Sequence, residues 1–156
     1  PHELFKRILA FFRYYTEQEH PLEVMVQIYW DSLKKRFLVV VPYQHVSGVE
    51  VRVPEEQPGQ LDEERFYYYA DVHSHNIMPA FFSEQDNRDE LATRLYIVVG
   101  RLQRPSPEIR ARISNGGKFL EIPLEDVVEV SQAEFPEYWT ASVAPWFTAN
   151  RKGNAL

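Results

Sequence analysis

FYYYADVHSHNIMPAFFSEQD (residues 66–86) joins an apolar run to a pair of histidines and then to a polar segment. The apolar run predicts a buried β-strand that ends at His73 and His75. From Ser83 onward the chain is rich in helix formers and has neither Gly nor Pro, which predicts a short helix over residues 83–93. A strand followed by a loop and a helix favours a sheet with helices packed on it.

The segments on either side extend this α/β pattern. Residues 2–19 carry apolar side chains at three- and four-residue spacings, which predicts an amphipathic helix that Pro21 limits. Further strands are predicted at residues 22–30, 36–43, 49–53, 95–100, 107–114 and 118–123. The first two are almost continuously apolar and predict a sheet covered on both faces, whereas the third alternates as an edge strand does. Together with the strand that ends at the histidines, they predict a three-layer α/β fold.

Two connections have turn chemistry of their own. Residues 54–65 contain two prolines, a glycine and five acids, which predicts a solvated surface loop. Asn115-Gly116 separates the last two predicted strands, and this dipeptide supplies the positive φ angles of a tight hairpin turn.

Composition excludes several classes of function. The formal net charge of −6, with no local run of Lys or Arg, offers no basic field for nucleic acid. The chain has no cysteine, so a metal site must use His, Asp or Glu. Apolar runs such as residues 37–41 are far shorter than the roughly 20 residues that a membrane span needs. We therefore expect a soluble, cytoplasmic protein that binds neither nucleic acid nor membrane.

A chain of 156 residues is expected to form one domain over residues 1–156. Within it we distinguish an N-terminal helix at 1–19 and a C-terminal extension at 124–156. The extension contains the run VVEV (127–130) and an aromatic cluster that reaches from Phe135 to Phe147.

The histidine pair has the spacing of a metal site. On a strand, residues two apart project to the same face about 6.6 Å apart, so the two imidazoles can converge on one ion. Zn²⁺ accepts such nitrogens at about 2.0–2.1 Å, and catalytic zinc sites commonly use three protein ligands and leave a fourth position open. Asp86, in the first turn of the predicted helix, is the third candidate ligand. His73, His75 and Asp86 would leave that position to water.

Each part of this pattern also has a purely structural interpretation. A histidine pair alone is more often an accident or a hydrogen-bonded surface pair than a metal site. Ser83-x-x-Asp86 is equally well explained as a helix cap, in which the serine hydroxyl accepts a backbone N–H. The cap leaves the hydroxyl proton free, so a structural and a chemical role are compatible. The combination in one short segment favours the metal site.

His73-Ser74-His75, seven residues, and then Ser83-x-x-Asp86 resembles the JAMM motif of the MPN+ (Mov34/PAD-1, JAB) zinc metalloproteases. All defining positions match, and the resemblance extends loosely over residues 20–123. It implies a cytidine-deaminase-like JAB/MPN fold, a three-layer α/β arrangement with a mixed central sheet flanked by helices. It also implies a zinc-dependent peptidase or isopeptidase, since many members cut ubiquitin or ubiquitin-like proteins from lysines.

The resemblance also implies roles for two further residues. Glu23 matches in position the family's general base on the first strand, although Glu17 and Glu19 lie close to it in sequence. Ser83 would donate a hydrogen bond to the oxyanion of the tetrahedral intermediate, and Ser74 would be structural. The chain departs from the family at Asn76, where a proline usually stands, and we expect the departure to change loop stiffness more than chemistry.

Three functions follow as hypotheses. The first is a compact, prokaryotic-type Zn²⁺ hydrolase that acts on a protein or peptide substrate, including ubiquitin-like proteins. The second is a non-catalytic MPN scaffold that works by binding partners, and the third is a zinc hydrolase of a non-protein amide. The loop 76–82 has exposed apolar residues and is the candidate for substrate contact, or alternatively packs on the core. The sequence does not specify the substrate, the scissile bond or the oligomeric state.

Overall fold

The structure is a computed structural model that describes residues 2–57, 59, 61–123 and 135–145. In chain order its elements are helix α1 (His2–Thr16), strands β1 (Met25–Asp31), β2 (Arg36–Val40), β3 (Gln44–Val46), β4 (Val51–Arg52) and β5 (Phe66–Ser74), helix α2 (Glu84–Asp89), strands β6 (Arg94–Gly100), β7 (Glu108–Asn115) and β8 (Lys118–Ile122), a 3₁₀ helix (Glu137–Ser142) and strand β9 (Val143–Pro145). The run VVEV, Trp146 and Phe147 lie outside the described residues.

A six-stranded sheet in the order β2-β1-β5-β6-β7-β8 forms the centre of the fold. Strands β5 and β6 are parallel, and the other neighbours in this sheet are antiparallel. The parallel pair requires a crossover, which contains α2. The mixed α/β fold with a central mixed sheet, predicted from the sequence, is therefore confirmed.

Helix α1 covers one face of this sheet. Its fully buried side chains meet apolar residues that alternate along the central strands; the set comprises Ile8, Leu9, Phe11, Phe12, Val26, Ile28, Ala70, Val72 and Ile97. Phe135 and Trp139 extend this core, since their rings pack edge-on against Phe11. No helix in the described part of the chain is long and apolar enough to cross a membrane.

Several boundaries differ from those predicted. Helix α2 ends at Asp89, not at residue 93, because Glu90 leaves the helical conformation and its side chain pairs with a strand residue. Strand β1 starts three residues later than predicted, because the backbone N–H of Leu22 bonds to Tyr15 and that of Glu23 to Ser47. Competing local bonds therefore shorten both elements.

The sheet edges also correct the sequence interpretation. Strand β2 lies at an edge with part-buried residues, so the expectation of cover on both faces is wrong for it. Strand β4 is an edge strand as expected, but it belongs to a separate three-stranded sheet, β4-β3-β9. Strand β3 was not predicted; its parallel partner β9 is remote in sequence, so no local pattern announces the pair.

The predicted hairpin between β7 and β8 forms with its turn one residue later than expected. Asn115 is paired with Lys118 on the strands, and Gly116 and Gly117 occupy the turn with φ of 59° and 79°. A two-residue hairpin loop of this kind requires positive φ at both central residues, which two glycines adopt without strain.

Candidate metal centre

The end of β5 is held on both sides at the histidine pair. The Ser74 N–H donates to the Val24 carbonyl, and the Ser74 hydroxyl accepts from the Val24 N–H, each at 2.9 Å. On the other side the His75 N–H donates to the Val99 carbonyl at 2.8 Å. Ser74 thus makes contacts of the structural kind predicted for it, and it fixes the backbone from which both imidazoles project.

The structure brings His73, His75 and Asp86 together at this strand end, with one ligand atom from each within 4.8 Å of the others. The two Nε2 atoms are 3.2 Å apart, and His73 Nε2 lies 3.7 Å from Asp86 Oδ1. Two nitrogens on one tetrahedral zinc ion are about 3.3 Å apart, given bonds of about 2.0–2.1 Å. The observed spacing therefore fits a shared cation.

Both imidazoles are uncharged near pH 7, so each can offer a nitrogen lone pair to a metal ion. The pKa of His73 is lowered to about 4, chiefly by burial; Asp86 opposes the shift, and repulsion by a protonated His75 and by Arg112 adds to it. Burial also lowers the pKa of His75. The His75 Nδ1 lies 3.3 Å from the Pro79 carbonyl, which can only accept, so Nδ1 carries the proton and Nε2 keeps its lone pair.

Asp86 is oriented by the capping box of α2. The Asp86 N–H donates to the Ser83 hydroxyl at 3.1 Å, and the Ser83 N–H donates to Asp86 Oδ2 at 2.6 Å. The cap thus holds one carboxylate oxygen and leaves the other facing His73. Because the Ser83 hydroxyl oxygen accepts in this cap, its proton stays available for another acceptor.

Glu23 lies just before β1, and its side chain is only 4% exposed. Burial, and after it the charges of Asp86 and Glu50, together raise the pKa of its carboxyl to about 8. Its Oε1 has no hydrogen-bond partner among the described residues. Glu17 and Glu19, the alternatives in sequence, are exposed, so of the three only Glu23 is a buried carboxyl under the charge of Asp86.

The loop 76–82 combines both interpretations offered for it. Its backbone packs on the end of β6, where a Cβ on Gly100 would lie 2.4 Å from the Met78 carbonyl oxygen and from the Ala80 nitrogen. At the same time the side chains of Ile77 and Phe81 are 52% and 41% exposed. The backbone is thus part of the fold, while both side chains remain exposed and that of Phe81 contacts the His75 ring.

Asn76 adopts φ of 47°, in the left-handed region. Proline locks φ near −65°, so the residue usual in the family cannot take this conformation, whereas asparagine tolerates it. The Asn76 side-chain amide donates to the Gly48 carbonyl at 3.1 Å, and the Asn76 carbonyl accepts from Leu102. A proline at residue 76 is therefore incompatible with the loop path of this chain, so the departure concerns more than loop stiffness.

Sequence reasoning missed contributions that depend on contacts across the fold. The Pro79 carbonyl fixes the His75 tautomer, and Gly100 allows the loop to approach the sheet. A glycine that ends a buried strand, as Gly100 does, is a signal of close backbone approach. A main-chain carbonyl has no such signal in sequence.

The donor set suits a catalytic metal ion. Two neutral imidazole nitrogens and one carboxylate oxygen are the ligand types that Zn²⁺ takes in open, three-residue sites. The distances among their ligand atoms and the buried, unpartnered Glu23 oxygen nearby fit a Zn²⁺ site. Other divalent metals accept the same ligand types.

The chain matches the family model described as prokaryotic homologs of the JAB domain over residues 5–113, more than two thirds of its length. No match is found among curated proteins. Among solved structures, the solution structure of protein DSY2949 from Desulfitobacterium hafniense is similar, with 18% identity and a TM-score of 0.33. That alignment covers 44% of this chain and 45% of the other, so the chain spans less than half of that protein. A likeness of this extent carries no weight for fold or function.

Proposed function

Because the chain belongs to the prokaryotic homologs of the JAB domain, we propose that it is a Zn²⁺-dependent hydrolase of peptide or isopeptide bonds. The observation that carries the proposal is the convergence of His73, His75 and Asp86 beside a buried carboxyl, that of Glu23. When bound, Zn²⁺ lowers the pKa of its water to about 7 and polarises a carbonyl as a Lewis acid. His73, His75 and Asp86 are the residues that would hold the ion.

Glu23 serves as the general base and then as the general acid. Burial and the charges of Asp86 and Glu50 raise its pKa to about 8, and a divalent charge nearby would lower it toward neutral pH, where proton transfer in both directions is efficient. The carboxylate takes a proton from the attacking water and returns it to the amine of the leaving group. Its free Oε1 supports this role, because a purely structural carboxyl buried to this degree is normally hydrogen-bonded.

Ser83 stabilises the oxyanion of the tetrahedral intermediate. Its hydroxyl oxygen is engaged by the Asp86 N–H, which restrains the side chain while the hydroxyl proton remains free to donate. A single oxyanion donor of this kind contributes about 2.7–4 kcal/mol to the rate of acyl transfer in a known protease. We expect the cap and the catalytic contact to operate together.

The substrate we propose is a protein, such as a conjugate of a ubiquitin-like protein, joined through a peptide or isopeptide bond. The exposed apolar side chains of Phe81, which contacts His75, and of Ile77 on the same loop support a macromolecular substrate over a small amide. Phe81 packs edge-on against the His75 ring at 4.7 Å, so a polypeptide laid on this loop would reach the metal.

Metal analysis combined with one matched pair of variants tests the proposal. The wild type is expected to hold stoichiometric Zn²⁺ and to cleave ubiquitin-like conjugates. Glu23→Gln keeps the metal but loses about 10²–10⁴-fold in rate, the usual contribution of a general base. Glu19→Gln, a nearby exposed glutamate, is the control and retains full activity.

Other outcomes would redirect the assignment. A zinc-loaded wild type that cleaves neither conjugates nor small amides would overturn the enzyme and favour a scaffold that binds partners. Cleavage of small amides without cleavage of protein conjugates would favour a hydrolase of non-protein amides. Absence of bound zinc after exposure to the metal would overturn the metal centre itself.

A further inference from the structure

Helix α2 carries the proposed ligand Asp86, although few of its own side chains attach the helix to the core. It has six residues, none of them buried. Isolated helices shorter than about 12–15 residues are marginal in water, and most helices in proteins are held by an apolar face packed on the core. Since α2 lacks such a face, the position of Asp86 must depend on polar contacts to a rigid element.

Arg112 provides these contacts from strand β7. Its Nε donates to Glu90 Oε2 at 2.7 Å, and its Nη2 lies 2.7 Å from the same oxygen. Its Nη1 donates to Asn87 Oδ1 at 2.6 Å. Asn87 is the residue next to Asp86, and Glu90 is the C-cap of α2. One guanidinium therefore bonds to a side chain within α2 and to the side chain of its C-cap residue.

The guanidinium is itself fixed between two rings. Its carbon lies 3.9 Å from the centre of Phe82 and 3.8 Å from the centre of Phe119, and the residue is only 4% exposed. Phe82 precedes the N-cap Ser83, so the stack also restrains the entry to α2. Strand β7, which carries Arg112, is paired on both sides, with β6 and β8.

We propose that Arg112 is the positioning residue of the metal centre, which locks α2 onto the sheet so that Asp86 reaches the ion that His73 and His75 hold. The proposal rests on the proposed function for the metal ion, whereas the attachment of α2 to the sheet by Arg112 does not depend on that function. The role needs an arginine, because the planar fork bonds two side chains and stacks on rings at once, which the point charge of lysine cannot do.

The test compares Arg112→Met and Arg112→Lys with Arg110→Met, an exposed arginine on the same strand. Zinc dissociation constants are measured by competition with a chromophoric chelator, and amide hydrogen exchange is measured on the metal-free proteins. Loss of an outer contact that orients a ligand typically weakens metal binding 10–100-fold. We expect Arg112→Met to raise the dissociation constant by that factor, Arg112→Lys to rescue only part of it, and Arg110→Met to leave it unchanged.

The sign of the change separates positioning from charge. Removal of a positive charge that acts on the metal centre would, by electrostatics alone, tighten the binding of a cation. Weaker binding therefore supports positioning, whereas tighter or unchanged binding in a folded Arg112→Met protein overturns it. We also expect amide hydrogen exchange in metal-free Arg112→Met to be faster at residues 83–90 and unchanged in α1.

Two provisions keep the test decisive. Arg112→Met leaves Glu90 buried without its partner, so if that variant does not fold, Asn87→Ala removes one contact from an exposed side chain and is expected to weaken zinc binding several-fold. Wild-type affinity in Asn87→Ala would then overturn the proposal. If the wild type binds no zinc, the proposed function fails, and exchange at residues 83–90 decides alone whether Arg112 holds α2.

Discussion

The two faces of strand β5 divide stability from chemistry. Ala70, Val72 and Ser74 point toward α1 and are fully buried, whereas Asp71 and His73 point to the opposite face and keep some exposure. Alternate residues of one strand thus serve two environments, because successive side chains of a strand point to opposite sides. The hydrophobic core and the candidate metal centre therefore draw on alternate residues of the same strand.

The site face differs from the α1 face in its polar contacts. Asp71 accepts a hydrogen bond from the Tyr68 hydroxyl, and the guanidinium of Arg94 lies 3.6 Å from the centre of the Tyr68 ring and 3.7 Å from Asp71. Burial raises the pKa of Asp71, and this partner set opposes the shift. Asp71 is therefore paired with neighbours on its own face, whereas the buried Oε1 of Glu23 has no hydrogen-bond partner among the described residues.

The largest expected effect comes from a substitution in the core under α1. Phe12→Ala removes a fully buried ring from the core and is expected to lower the free energy of unfolding by about 3–5 kcal/mol. Tyr14→Ala, on the exposed side of the same helix, should cost less than about 1 kcal/mol. Denaturant unfolding of both variants measures the difference. Equal losses would show that α1 does not carry the core.

The next effect breaks the site face alone. His73→Ala removes one of the three proposed ligands and is expected to weaken zinc binding by more than about 100-fold, above the range for residues that only orient a ligand. The metal-free variant should unfold within about 1 kcal/mol of the wild type. His45→Ala, a histidine outside the centre, serves as control in chelator competition. Unchanged affinity in His73→Ala would remove this residue from the ligand set.

The pH dependence of stability tests whether the carboxyl of Glu23 is buried on the site face. Its carboxyl has a pKa of about 8 when folded and an ordinary value of 4.5, so the folded state holds the proton more tightly and loses stability as pH rises through this window. In metal-free protein, Glu23→Gln should therefore be about 3–4 kcal/mol more stable relative to wild type at pH 8 than at pH 5. Thermal unfolding with a chelator measures it. A constant difference across this range would contradict the burial of the charge.

The smallest effect concerns the loop next to the ligands. Asn76→Gly keeps the positive φ but loses the bond to Gly48, which should cost about 1 kcal/mol. Asn76→Ala loses the same bond and adds about 1 kcal/mol or more for a side chain in the left-handed region. Equilibrium unfolding of the two variants separates these contributions, and equal costs would contradict the strained conformation.

Much of the candidate site could be predicted from sequence, because its parts are local. Two histidines at alternate strand positions share a face, and a serine three residues before an aspartate forms a helix cap; both follow from backbone geometry within a few residues. The buried strand 95–100 and the amphipathic helix were predicted for the same reason. The early end of α2 was not, because a contact to a distant strand decides it.

The sequence by itself determined which side chains have the chemistry to hold a cation and on which elements they lie. Only the tertiary structure decided which glutamate is buried beside them, since pairing of β1 with β5 places Met25 opposite His73 and so carries Glu23 to the strand end. The role of Arg112 in holding α2 and the pairing of β3 with β9 likewise join segments remote in sequence. Short-range periodicity and capping are written in neighbouring residues, whereas desolvation and long-range pairing depend on how the whole chain packs.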